Sequence, residues 1–164
     1  MLKEKVQVAL NHQINSELYS WYLYLSMSAY FENENWSGFA KWMKVQAEEE
    51  YTHAMKFFDY VLQTGGKINL TQITAPKANW NSVLDVFQDT LSHEQEVTKS
   101  IYNIVELSAA EKDHATSIFL QWFVNEQVEE ESTVEKILAK IKMGGDNKNA
   151  LIFLDRELGM RASK

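Results

Sequence analysis

The stretch around Glu50 restricts what this chain can fold into. At about 100° per residue, Phe39, Met43, Gln46, His53, Phe57 and Val61 share the side of a helix that carries Glu50. That side is otherwise apolar. A carboxylate and an imidazole three residues apart therefore face the interior. An isolated buried carboxylate costs on the order of several kcal/mol unless it is paired or holds a cation. The fold must bring partners to this face.

Three further faces have the same character. Relative to Glu17, the residues Val6, Leu10, Ile14, Trp21, Tyr24, Ser28 and Phe31 align, predicting a helix from about Leu2 to Asn33. Relative to Glu94, Phe87, Thr90, Leu91, Val97, Thr98, Ile101 and Val105 align, on a helix from Asn81 or Ser82 to about Leu107. Relative to Gln127, Leu120, Phe123, Glu130, Val134 and Leu138 align, on a helix reaching about Met143. The Glu50 helix is expected from Ser37, as N-cap, to about Thr64, with Gly38 a poor helix former just inside it. Gly65-Gly66 and Gly144-Gly145 are stop signals, and Ser108-Ala109-Ala110-Glu111 has capping-box spacing. Leu151, Ile152, Leu154 and Leu158 mark a short fifth helix over about Lys148 to Leu158.

Residues 67–80 lack periodicity and contain the chain's one Pro. Extended at roughly 3.3 Å per residue, they can run the length of a neighbouring helix. Such a crossover lets the second and third helices run parallel, while short connections elsewhere make neighbours antiparallel. One Pro and six Gly in 164 residues favour long helices over many strands. The expected fold is all-α: a four-helix antiparallel bundle with a long crossover between helices two and three and a short C-terminal fifth helix. It is expected to form one domain over 1–164, the bundle over about 2–143 and the fifth helix over about 148–158.

Cysteine is absent, so no disulfide, thiolate metal site or cysteine nucleophile is available. The net charge of −7 argues against free nucleic acid or an anionic membrane as partner and suits cations. The longest uncharged stretch, Leu18 to Phe31, is too short to span a bilayer, and no signal peptide opens the chain. A soluble, cytoplasmic protein is expected.

Glu17, Glu50 and Glu94 lie near the middle of their helices, and Gln127 and Glu130 just past the middle of theirs. In a bundle they meet in one layer. Four carboxylates and an imidazole in an apolar core repel unless cations neutralise them. Oxygen-rich ligands with one nitrogen suit iron or manganese, with zinc as competitor. Two metals sharing a bridging Glu balance four carboxylates, and Glu50 is the natural bridge. Two other readings fit the same layer: a di-iron oxidase or oxygenase with an organic substrate, and a bundle holding structural zinc.

With Glu17, Tyr24, Glu50-x-x-His53, Glu94 and Gln127-x-x-Glu130, preceded by Leu120-Gln121-Trp122-Phe123, the chain resembles the non-haem bacterial and archaeal ferritins over its whole length. Ferritin-like di-metal bundles draw a Glu from each of two helices and Glu-x-x-His from the other two. This chain departs from that at Gln127-x-x-Glu130.

The resemblance implies a ferroxidase centre in which Glu17, Glu50 and His53 hold one iron. Glu50, Glu94 and Glu130 hold the other, with Gln127 close by. It implies a third iron site from Glu49, Glu126 and Glu129, shared with Glu130. It implies a role for Tyr24 as electron donor beside a metal ligand, Fe(II) with dioxygen or hydrogen peroxide as substrates, and a hollow homo-oligomer of twenty-four copies storing ferric mineral. The fifth helix would line its four-fold axes. Tyr51, where haem-binding relatives carry Met, and the asymmetric fourth helix argue against haem. Glu48 is expected at the surface, Trp122 in packing or an interface, and His12, His93 and His114 outside the cluster.

Overall fold

The computed structural model describes residues 2–145 and 147–162. Met1, Asp146 and residues 163–164, which the expected domain range includes, lie outside the described residues. Five helices follow in order: α1 (Glu4–Asn33), α2 (Ser37–Gln63), α3 (Val83–Ala110), α4 (His114–Gly144) and α5 (Lys148–Leu158). There is no strand among the described residues. Among those residues, too, no helix is long and apolar enough to cross a membrane.

α1 packs on α2, and α3 on α4, as antiparallel hairpins; α5 touches α2 and α4. The crossover runs along α1 in the same direction. Asn11 donates to the Lys67 carbonyl and accepts from the Asn69 amide, and Ser26 donates to the Lys77 carbonyl. Trp80 closes the crossover, edge-on to Tyr30 and bonded to Asp89. α3 therefore starts where α1 ends and runs parallel to α2.

Three helix ends close alike. After α2, the amide of Gly66 bonds the Val61 carbonyl and that of Gly65 bonds Leu62, with Gly65 at φ 77°. This paired closure needs a left-handed residue, which glycine adopts without a steric penalty. Asn35 and Lys112 take that position after α1 and α3, at φ 62° and 55°.

Two expected helix starts are corrected. Ser37 does not cap α2; Trp36 occupies the N-cap position without a side-chain bond. Asp155 of α5 serves instead, accepting from the Phe39 amide at 2.8 Å. The first-turn amides lack intrahelical partners and carry partial positive charge, so a carboxylate from elsewhere can satisfy them. Ser108 does not start α4 either. Its buried hydroxyl donates to the Val105 carbonyl within α3, and Asp113 caps α4 through the Thr116 amide.

Gly38 has its reason here. A Cβ at this position would lie 1.7 Å from the Asp155 carbonyl oxygen, so only glycine lets α5 seat on α2. Gly38→Ala is expected to cost about 1–3 kcal/mol through this overlap. A thermal melt followed by circular dichroism should show a lower Tm; an unchanged Tm would mean that α5 does not depend on this approach.

Candidate metal centre

The core is divided in two. One cluster holds Tyr24, Met27, Phe31, Phe39, Met43, Phe87, Val134 and Leu138. The other holds Val6, Leu10, Ile14, Phe57, Val61, Ile101, Leu120 and Phe123. On each long helix the polar residues fall between the two sets: Glu17 on α1, Glu50 and His53 on α2, Glu94 on α3, and Gln127 with Glu130 on α4. They form a polar layer across the bundle. Exposure is 1% at Glu17 and Glu94, 2% at Glu50, 4% at His53 and 5% at Glu130.

Among the described residues, two groups each bring potential ligand atoms within 4.8 Å of one another: Glu17 with Glu50 and His53, and His53 with Glu126 and Glu130. His53 stands between them. Its Nδ1 is 3.4 Å from Glu50 Oε2, and its Nε2 is 4.0 Å from Glu126 Oε1. A ligating imidazole is held in orientation and tautomer by the partner of its other nitrogen, and Glu126 is the carboxylate that faces Nε2. Trp122 and Phe123 stand edge-on to the His53 ring, at 5.4 and 6.1 Å between centroids.

Glu94 belongs to neither group. Its carboxylate accepts from the Tyr24 hydroxyl on one oxygen and from Gln127 Nε2, at 3.1 Å, on the other. Tyr24 is fully buried and so reaches a candidate ligand, as its position one face-repeat after Glu17 allows. Glu49 is buried, Glu126 half-buried and Glu129 exposed. Glu49 and Glu126 wall a cavity of ≈ 270 Å³ with Thr52, His53, Lys56 and Trp122. Glu129 and Glu130 wall another, of ≈ 490 Å³, with Trp42, Thr133, Glu157 and Arg161 among its neighbours.

Four residues at the site were given no role from the sequence. Gln46 donates to Glu50 Oε1 at 3.1 Å and to Glu130 Oε2 at 2.8 Å, joining α2 to α4. It shares the Glu50 face, but an amide there carries no charge to explain. Gln13 donates to Glu17 Oε1 at 2.9 Å and accepts from Ser100; its place one turn before Glu17 was its signal. Arg161 reaches Gln46 and Glu49 from beyond α5. His93 stands edge-on to Tyr24 and 2.8 Å from the Ser20 hydroxyl. Burial lowers its pKa to about 4, so its ring is neutral.

The electrostatics match a site built for cations. Burial, then the Glu50 charge, pushes Glu17 up to about 8. Burial, with Glu94 and Glu130, raises Glu50 well above the carboxylate range. Burial, then Glu94, raises Glu130 to about 7. Burial raises Glu94 as well, to about 6, with the bonds from Tyr24 and Gln127 limiting the rise. Glu17 Oε2 and Glu49 Oε1 are buried without a hydrogen-bond partner among the described residues. Orphaned carboxylate oxygens facing other carboxylates are satisfied by a metal or a shared proton. Harder oxygen donors with one imidazole fit iron.

A ferritin-like domain family matches residues 7–144. The chain belongs to the ferritin family. It is similar to the bacterial non-haem ferritin of Bacteroides fragilis, with 47% identity over 161 residues, 98% of this chain and 100% of that one. Its structure superposes on an engineered closed form of the Archaeoglobus fulgidus ferritin with a TM-score of 0.99, at 47% identity over 100% of both chains. It superposes on the open pore ferritin of the same archaeon with a TM-score of 0.98, at 48% identity over 99% of this chain and 100% of that one. Iron storage is the work of this family, and the carboxylate–histidine cluster is compatible with a di-iron site.

The raised pKa of Glu17 has a signed consequence. The folded chain keeps a proton on Glu17 up to about 8, whereas the unfolded chain releases it near 4.5. Stability of the chelator-treated protein should therefore fall as pH rises through that window. Glu17→Gln removes the titration, so the drop in Tm between about pH 5.5 and pH 8 should shrink. A drop as large as the parent's would show that Glu17 is not the group responsible.

Proposed function

We propose that this ferritin oxidises Fe(II) at an intrasubunit di-iron centre and stores the Fe(III) product as mineral inside a hollow homo-oligomer. The observation that carries the reading is the buried layer in which Glu17, Glu50 and His53 come within 4.8 Å of one another. Glu17, Glu50 and His53 bind one Fe(II). Glu50, Glu94 and Glu130 bind the other, with Glu50 shared. Glu49, Glu126 and Glu129, with Glu130, form a third site on the side away from Glu17. The two Fe(II) ions give two electrons to dioxygen, which takes up two protons and leaves as hydrogen peroxide. Peroxide itself is the alternative oxidant.

The chain's own residues tune that reaction. Carboxylates stabilise Fe(III) over Fe(II), which favours oxidation. Gln127 contributes an amide hydrogen bond to Glu94 where a second Glu-x-x-His would contribute an imidazole ligand. The second iron is then held less tightly than the first, which suits a site that passes its product on. Tyr24, which donates to Glu94, is the proposed electron donor where dioxygen is reduced beyond peroxide. No haem takes part. The assembly is proposed to hold twenty-four copies, to act in the cytoplasm and to form from chains folded as one domain.

Glu50→Ala removes the shared ligand. Stopped-flow measurement of Fe(III) absorbance should show the initial rate falling by at least about 100-fold, with assembly intact; an unchanged rate would sink the bridging role. Size-exclusion chromatography with an iron stain separates the readings. Twenty-four chains of 19.0 kDa should elute near half a megadalton carrying many irons per chain. A small particle that holds two metals per chain would point instead to a di-iron oxygenase or a structural zinc bundle.

A further inference from the structure

Arg161, on the turn after α5, lies beside the metal layer. α5 is anchored on α2 by the Gly38 contact and the Asp155 bond to the Phe39 amide. Leu158 packs against the first apolar cluster. The Arg161 amide bonds the Leu158 carbonyl at 3.1 Å, turning the segment back towards the bundle. The Arg161 guanidinium lies over the Trp42 ring, 4.5 Å from its centroid. It is 18% exposed. One nitrogen donates to Gln46 Oε1 at 2.9 Å and another to Glu49 Oε2. Ring stacking and a forked donor make this a held position for an arginine rather than a loose surface pair.

We propose that Arg161 is a built-in cation on Glu49, so that the C-terminal segment and a third iron compete for one carboxylate. The proposal rests on the reading of Glu49 as a third-site ligand. Glu49 has one oxygen on Arg161 and the other, Oε1, buried with no partner among the described residues. That free oxygen can take an iron, but a divalent ion there would sit within a few ångströms of the guanidinium. Like charges so close, on largely buried side chains, repel strongly. A third iron must therefore displace Arg161 or bind against its charge. The competition falls on the third site first, because Arg161 touches none of Glu17, Glu50, His53 or Glu94 directly. It also links iron occupancy to the seat of α5, since releasing Arg161 frees the turn that follows that helix.

The test is anaerobic Fe(II) titration calorimetry on the assembled protein, for the parent, Arg161→Ala and Arg161→Lys. Removing the guanidinium should tighten the weakest of three binding steps by roughly 10-fold, the change expected for losing one partly buried charge contact. Lys keeps the charge but not the fork, and should lie between the other two. Loss of packing would weaken binding or leave it alone, so tightening is not a structural by-product. A third step equally tight in the parent and in Arg161→Ala overturns the competition while leaving the third site standing. Two steps only, in all three proteins, overturn the third site and the competition together.

Discussion

Burying negative charge inside a helical bundle is the constraint on which the rest of this structure depends. Glu17, Glu50, Glu94 and Glu130 are each at most 5% exposed and cross-raise one another's pKa values. Nothing apolar can occupy the layer without displacing them. Two hydrophobic clusters, one on each side, supply the burial that stabilises the fold. The layer contributes little of that. It holds protons or cations, and the bundle tolerates it because the clusters are large enough to offset it. Site and stability are in this sense opposed, and the bundle is the compromise.

The amides around the layer make that compromise workable. Gln13, Gln46 and Gln127 each donate to a carboxylate without adding charge. Gln13 bonds one oxygen of Glu17 and leaves the other open, and Gln46 bonds one oxygen each on Glu50 and Glu130. Neutral donors orient a ligand without competing for the metal's charge, whereas a lysine there would fill the site permanently. Arg161 is the exception. It stands at the edge of the layer, on Glu49, on a segment outside the four long helices.

What was readable in the sequence follows from periodicity. The period of 3.6 residues assigned Glu17, Glu50, His53, Glu94, Gln127 and Glu130 to core faces, and the structure brings those faces together in one layer. The crossover was readable because its residues had no period, and its hydrogen bonds to Asn11 and Ser26 show it lying along α1. Contacts between elements distant in sequence were not readable. Ser37 had the composition of an N-cap, but Asp155, 116 residues from Phe39, does that work. Ser108 had capping-box spacing, but its hydroxyl turned inward. Arg161 belongs to no periodic face, and its partners were set by where α5 docks. Local propensity sees neighbours along the chain and is silent about such partners.

The layer exchanges protons for iron. With Glu17 near 8, Glu130 near 7 and Glu50 raised well above its ordinary value, the metal-free layer is partly protonated at neutral pH. Filling it with Fe(II) under nitrogen, in an unbuffered solution held at about pH 7 by a pH-stat, should release about two protons per chain. Iron that bound with no proton release would contradict the account, because the layer would then be fully ionised while buried.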